Sequence, residues 1–239
     1  MHPRVWLFMP TFNEAANLDA IVRATTAQLE TAAPGDWRLL VVDDASPDGT
    51  GEIADRLATE LPGVEVLHRF GKEGLGAAYL AGFEYALTRG AEFVIVMDAD
   101  FSHDPRHLPA MIEAARDADL VLGSRYVAGG GVENWGLFRR LLSRGGCAYA
   151  RLLLGIPVRD LTGGFKCFNR RVLEAIDLAE VHADGYAFQI ELTYRAVRAG
   201  FRVAEVPILF QERREGASKM TARVTLEAVW KVPALRLRG

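Results

Sequence analysis

Cysteine is nearly missing: Cys147 and Cys167 are the only two, and they match no zinc or redox spacing, so no disulfide framework is expected and both read as ordinary thiols in a reducing compartment. No run approaches the ~20 apolar residues that a bilayer-spanning helix needs. A signal-peptide pattern is lacking too, since Pro3 and Arg4 precede only a short apolar stretch before Pro10 and polar residues follow at once. The net charge of −3 supplies no basic field to gather nucleic acid. His2, His68, His103, His107 and His182 are scattered without ligand spacing, and no Ser-His-Asp or Cys-His set is evident. Internal repeats and low-complexity segments are absent. These absences predict a cytosolic protein, one that can still lie on a membrane surface.

Half of the 239 residues are apolar, enough for one large domain with an appendage. The stretch that organises the chain is Phe93-Val94-Ile95-Val96-Met97-Asp98-Ala99-Asp100-Phe101-Ser102-His103-Asp104-Pro105. Its apolar start, rich in β-branched residues, predicts a strand over 93–97 buried on both faces, running straight into acid. Side chains in a strand alternate, so Asp98 and Asp100 are expected on one side at the strand's carboxyl end. Two carboxylates held together repel unless a cation sits between them. A hard divalent ion such as Mg²⁺ or Mn²⁺, completed by phosphate oxygens, fits that place. The plainer alternative is that the acids end a strand and cap the helix after Pro105, a task that suits Asp104 better. His103 beside them reads as supporting or structural.

Before and after this stretch the pattern alternates. Strands are expected at 5–9, 39–42, 64–68 and 120–122, with helices from about 15 to 34, over 51–61 and over 74–89. Such βα alternation predicts a mainly parallel sheet with helices on both faces, and ligands of such sheets bind beyond the carboxyl ends of the strands. That rule gathers Thr11, Glu14, Asp43, Asp44, Asp98 and Asp100 on one rim, although Asp43-Asp44 before Pro47-Asp48-Gly49 also suits a simple Asx-type turn. Gly71-Lys72-Glu73-Gly74-Leu75-Gly76 has neither the Walker nor the dinucleotide spacing and reads as a glycine-rich helix entrance with Lys72 near a nucleotide.

From about residue 123 the alternation stops. A helix over 136–154 would carry Leu137, Leu141, Ala148 and Leu152 on one side, with Arg140 and Arg144 four apart. The arginines are either a solvated face or, mixed with Trp135 and Phe138, a surface for an anion with an apolar body. Asp160-Leu161-Thr162-Gly163-Gly164-Phe165-Lys166 reads as a glycine-containing turn that lets backbone approach a ligand. A helix over 185–199, a strand over 203–210 and a long charged loop over 211–219 complete the domain. The tail, 221–238, is either a helix packed on the domain or a basic, tryptophan-bearing membrane-surface helix that Pro233 would kink.

Together Pro10-Thr11-Phe12-Asn13-Glu14, Asp43-Asp44-Ala45-Ser46-Pro47-Asp48-Gly49-Thr50, Met97-Asp98-Ala99-Asp100, Gly123-Ser124-Arg125-Tyr126, Asp160-Leu161-Thr162-Gly163-Gly164-Phe165 and Arg213-Arg214-Glu215-Gly216-Ala217-Ser218-Lys219 resemble the inverting glycosyltransferases of family 2 with a GT-A fold. Within that family the chain is similar to the polyprenyl-phosphate mannosyltransferases of the dolichol-phosphate mannose synthase type. The resemblance covers nearly the whole chain. It implies an α/β GT-A domain over 1–215, with a nucleotide-sugar half, 1–122, and an acceptor half, 123–215, followed by a loop and tail over 216–239. It implies GDP-mannose as donor, held by Pro10, Thr11, Glu14, Val42, Asp44, Lys72, Asp98, Ala99 and Asp100, with Mg²⁺ or Mn²⁺ on Asp98 and Asp100. Arg125, Arg139 and Ser143 would grip the phosphate of a polyprenyl or dolichyl acceptor, and Arg213, Ser218 and Lys219 would form a mobile acceptor loop. Asp100, Arg125 and Arg213 are the catalytic candidates. Ser102 stands where some relatives have a glutamine metal ligand, and Gly164 and Lys166 where serine and arginine are frequent.

A phosphate monoester with a second pKa of about 6 is largely dianionic at neutral pH and needs no general base to attack. Asp160 is therefore assigned to orienting a sugar or an arginine. Peripheral docking on the cytoplasmic face of a membrane through 135–154 and 221–238 is expected, with or without a small anchoring subunit. UDP-glucose as donor, a polysaccharide-building glycosyltransferase and a non-catalytic nucleotide-sugar module are the alternatives the sequence leaves open.

Overall fold

Short apolar runs alternating with amphipathic segments have one economical solution, a sheet buried between two helical layers. The computed structural model describes residues 4–71, 74–181, 185–212 and 231–236. Its first half is β1 Val5–Thr11, α1 Ala15–Ala32, β2 Trp37–Asp43, α2 Thr50–Glu60, β3 Val64–His68, α3 Leu75–Thr88 and β4 Phe93–Val96. A 3-10 turn, Pro105–His107, leads into α4 Leu108–Ala114 and β5 Leu120–Ser124. The second half holds β6 Gly131–Val132, α5 Leu137–Leu154, β7 Lys166–Asn169, α6 Arg170–Ala175, α7 Gly185–Arg198, β8 Val203–Pro207 and β9 Leu209–Phe210.

Seven strands form one sheet in the order β3-β2-β1-β4-β7-β5-β8. All neighbours pair in parallel except β7, which runs antiparallel between β4 and β5. Alternate side chains of β1 feed two cores. Trp6 and Phe8 face the layer of α3, α5 and α7, while Val5, Leu7 and Met9 face that of α1, α2 and α4. Phe8 meets Tyr79 and Phe83 of α3 edge to face at 5.6 and 5.2 Å, and α3 comes this close because Gly82 has no Cβ; one there would lie 2.7 Å from the Phe8 ring. The sheet therefore reads as mainly parallel and covered on both faces, as its periodicity predicts.

Several expectations need correction. The strand expected over 93–97 ends at Val96, so Asp98 and Asp100 belong to the following loop, not to one side of a strand. The strand expected over 203–210 is two: β8 joins the main sheet, and β9 pairs with β6 in a separate ribbon. Strand β7 went unread because Lys166-Cys167-Phe168-Asn169 is short and follows a turn-like run. In α5 the side that carries Leu137, Leu141, Ala148 and Leu152 faces outward, and Cys147, Ala150 and Leu154 face the core. Residues 231–236 are helical despite Pro233; Val232 is buried in the core and Arg236 Nη1 donates to the Leu153 carbonyl at 2.6 Å. This part of the tail packs on the domain; the rest of 221–238 lies outside the described residues.

Candidate active site

Strand order reverses at β1 and β4, whose neighbours β2 and β7 lead away in opposite directions. The crevice beyond the carboxyl ends at such a switch point is where open α/β sheets bind ligands. Loops after β1, β2 and β4 surround it. Each contains a non-glycine residue with positive φ, Asn13 (59°), Ala45 (54°) and Phe101 (63°). Such backbone costs of order 1–3 kcal/mol per residue and persists where the surroundings impose it, commonly at functional sites. Periodicity carries no trace of it.

The loop after β1 is tied to the loop after β2. Glu14 N–H donates to Thr50 Oγ1 at 2.9 Å, Ala15 N–H to Asp48 at 3.1 Å and Asn13 N–H to Ser46 Oγ at 3.0 Å. Thr11 Oγ1 lies 3.2 Å from the Val42 carbonyl and 3.3 Å from Asp43 Oδ1. Thr11 and Glu14 are buried, Pro10 is half-buried, and the Val42 side chain is wholly in the core, so Val42 reaches the rim only through backbone. Asp43 accepts from Ser46 N–H and Oγ at 3.2 and 2.6 Å, the Asx-type turn that was one reading of the Asp pair. Asp44 is held by Arg69 at 2.5 Å, a residue the sequence reading passed over; its only signal was its place just after β3, in register with the acid-bearing end of β2.

In the acid loop Asp100 is buried and its Oδ1 accepts the Ser102 N–H at 2.9 Å. Asp98 has a side chain 39% exposed, and its N–H donates to His103 Nδ1 at 3.2 Å. His103 is buried, stacked on Phe165 at 5.1 Å and edge-on to Phe210 at 5.4 Å, so it supports the loop. Asp104 caps the 3-10 turn through Arg106 N–H with Pro105 next to it, as expected. Gln211 N–H donates to the Ser102 carbonyl at 3.2 Å, bringing the chain that leads toward Arg213 onto the same loop. Lys72, Arg213, Ser218 and Lys219 themselves lie outside the described residues.

Among the described residues no group of three or more His, Cys, Asp or Glu converges as a metal cage. An ion held by Asp98 and Asp100 would need ligands beyond the described side chains, and a carboxylate pair completed by diphosphate oxygens is a donor set that suits Mg²⁺ or Mn²⁺. Ala99 between them is buried.

On the far side of the rim Arg125 and Asp160 form a buried pair. Arg125 donates to Asp160 through Nε and Nη2, both at 2.7 Å, through its backbone N–H at 2.9 Å, and from Nη2 to Thr162 Oγ1 at 2.8 Å. Burial opposes ionisation of Asp160, and the charge and N–H groups of Arg125 outweigh it, holding the carboxyl below its ordinary value. The rings of Tyr126, Trp135 and Phe210 surround the guanidinium at 5.2–5.6 Å. Arg139 stacks on Trp135 at 4.1 Å and pairs with Glu212 at 2.9 Å. Ser143 of α5 receives the Tyr126 hydroxyl at 2.6 Å, and Cys147 Sγ sits 3.3 Å from Thr162 Oγ1. Arg125, Arg139 and Ser143 thus share one corner, although Arg125 is sealed behind its rings. Outward from this corner α5 exposes Leu137, Phe138, Leu141, Leu142 and Leu152, flanked by exposed Arg140, Arg144 and Arg151. No described helix is long and apolar enough to cross a membrane.

The described site is thus an α/β sheet with two acids after β4 at its switch point and a buried Arg125–Asp160 pair beside them. Residues 6–177 match the family described as glycosyl transferase family 2, and the chain belongs to that family. It is 48% identical over 99% of its length, and 88% of the relative, to the polyprenol monophosphomannose synthase of Mycolicibacterium smegmatis. It is 47% identical over 95% of its length, and 91% of the relative, to the undecaprenyl-phosphate mannosyltransferase of Micrococcus luteus. A solved structure of glucosyl-3-phosphoglycerate synthase from Mycobacterium tuberculosis, in complex with Mn²⁺, UDP-glucose and phosphoglyceric acid, has the same fold. It superposes over 98% of this chain and 80% of its own, with a TM-score of 0.73 at 19% identity. The GT-A expectation is borne out.

Proposed function

We propose that the protein transfers mannose from GDP-mannose to the phosphate of a polyprenyl or dolichyl monophosphate, inverting the anomeric centre to give β-mannosyl phosphoryl polyprenol. The observation that carries this reading is α5. Its apolar residues face solvent, Leu137 at 73%, Phe138 at 80% and Leu152 at 77%, directly beside the arginine corner. A polar acceptor would not need such a face; a phosphate at the end of a hydrocarbon chain does. The names of the two curated relatives support the same acceptor class.

In this reading residues 1–122 hold the donor and 123–215 the acceptor. Thr11, Glu14 and Asp44 bind the nucleoside together with Pro10, the backbone of Val42 and Ala99, and Lys72. Asp98 and Asp100 would hold a divalent ion, which supplies positive charge to the departing diphosphate. Arg139 and Ser143 receive the acceptor's phosphate, with Arg125 behind them as fixed positive charge, and Arg213, Ser218 and Lys219 belong to the acceptor loop. The phosphate oxygen attacks C1 from the face opposite GDP; one C–O bond forms as the other breaks, and no proton has to be removed. Asp160 suits a scaffold and not a base, because both its oxygens are committed to Arg125. The protein would work at the cytoplasmic face of a membrane, docked through α5, alone or with a small anchoring subunit.

The test is to incubate the protein with Mg²⁺ or Mn²⁺, polyprenyl phosphate and labelled GDP-mannose, with UDP-glucose in parallel, and follow label into the lipid phase. Mannose in lipid supports the reading; label from UDP-glucose alone replaces the donor, and no lipid label from either refutes the acceptor.

A further inference from the structure

A serine within a helix carries a freely turning hydroxyl, whose usual partner is the carbonyl four residues earlier. Ser143 of α5 meets a group from outside its helix instead: Tyr126 Oη donates to Ser143 Oγ at 2.6 Å. Tyr126 is itself well placed to fix it. It follows Arg125, which is bonded to Asp160 through both backbone N–H and guanidinium. The Tyr126 N–H lies 3.4 Å from Ser124 Oγ, and its ring is flanked by the guanidinium groups of Arg125 at 5.2 Å and Arg144 at 5.6 Å. Tyrosine and serine are both half-buried, whereas Arg125 is sealed. The direction of the bond follows from acidity. A phenol is a stronger acid than an aliphatic alcohol and is the better donor, so the serine accepts and keeps its own proton for a third group.

We propose that Tyr126 is a positioning residue for the acceptor's phosphate, fixing Ser143 so that its O–H points away from the tyrosine as a donor. The proposal rests on the reading that Ser143 meets that phosphate. A phosphate dianion only accepts, so with it bound the chain has one polarity: Tyr126 O–H to Ser143 Oγ, then Ser143 O–H to a phosphate oxygen. Each link polarises the next, and a serine that already accepts is the stronger donor. Tyr126 does not touch the phosphate; it acts through the serine.

The experiment is calorimetric titration of the full chain, with GDP and Mg²⁺ present, by citronellyl phosphate, a short isoprenyl monophosphate that dissolves in water. Wild type, Tyr126→Phe, Ser143→Ala and the double variant are compared. Tyr126→Phe keeps the ring between the two arginines and deletes one oxygen. It should weaken the probe by about three- to tenfold and Ser143→Ala by about tenfold or more, while the double variant loses no more than Ser143→Ala alone. In turnover Tyr126→Phe should raise KM for the lipid phosphate by the same factor and leave KM for GDP-mannose unchanged. A loss from Tyr126→Phe that is equal with and without the Ser143 hydroxyl would mean that the tyrosine acts by packing, and it overturns the proposal. So does an unchanged affinity, or a Tyr126→Phe variant that unfolds well below the wild type. Ser143→Ala binding the probe as the wild type does would refute the acceptor reading instead, and that failure appears without any tyrosine variant.

Discussion

Along β1, β2 and β3 the rim loops bond chiefly to one another, Asn13 to Ser46, Glu14 to Thr50 and Asp44 to Arg69, and β1 and β2 beneath feed apolar side chains to both cores. Around β5 and α5 the arrangement differs. A single buried ion pair, Arg125–Asp160, organises the corner, and the helix beside it turns leucines and a phenylalanine outward. Among the described residues the first region is closed by its own polar contacts, while the second leaves apolar surface beside fixed charge. In the proposed reading that difference matches a nucleotide met by preformed polar loops and a lipid met by exposed hydrocarbon next to charge.

Removing the acids of the loop after β4, which adjoins the first region at the switch point, is the most severe test of it. Asp100→Asn and Asp98→Ala are each expected to lower mannose transfer by about a thousandfold or more, and chelation should abolish transfer until Mn²⁺ is returned; transfer that survives both treatments would remove the metal from the scheme. The second region breaks at its ion pair. Asp160→Ala should cost about 3–5 kcal/mol in urea unfolding, while the double change Arg125→Met with Asp160→Leu should recover most of that and remain inactive. A double variant as unstable as the single one would mean that more than the stranded charge is at stake.

Lys166 sharpens the contrast, because it is a buried amine beneath the second region, bonded to the Gln189 carbonyl at 2.6 Å and Thr193 Oγ1 at 2.9 Å. Burial drives its pKa from 10.5 down to about 7, against the opposing pull of Asp160 and Cys147. Because the folded value is the lower one, the unfolded chain binds more protons between about 7 and 10.5, so stability rises with pH across that window and is flat below it. Lys166→Met should remove this slope and raise stability near pH 7.5 by about 1–2 kcal/mol, read from urea midpoints at pH 7.5 and 9. The mildest change is on α5: Phe138→Glu with Leu141→Glu should alter stability by no more than about 0.5 kcal/mol yet weaken cosedimentation with vesicles carrying polyprenyl phosphate. Unchanged cosedimentation would move the docking surface elsewhere.

Most of the sheet was legible because a buried parallel strand needs a continuous apolar run and the helix after it needs 3.6 periodicity; β1, β2, β4 and β5 carry such runs, and β3, Val64-Glu65-Val66-Leu67-His68 at the sheet edge, alternates. Strand β7 escaped because four residues between a glycine turn and a helix carry too little pattern, and β8 and β9 merged because Pro207 alone marks their break. At the site, Thr11, Glu14, Asp44, Asp98 and Asp100 were gathered by their position after strands, and Arg125, Arg139 and Ser143 by resemblance. Arg69 was missed, since one arginine after an edge strand looks like any solvated charge until its partner is seen.

What the sequence determined by itself was local and periodic: which segments are strands or helices, that the sheet is mainly parallel, that acids end its strands, and which family the motifs resemble. Only the tertiary structure decided which of two adjacent aspartates an arginine from another strand would hold, that Arg125 and Asp160 would bury one another, and that α5 would turn its leucines outward. Periodicity reports that a helix has an apolar face; what covers that face depends on residues far away in the chain, whose meeting is decided by packing and the pairing of buried charge.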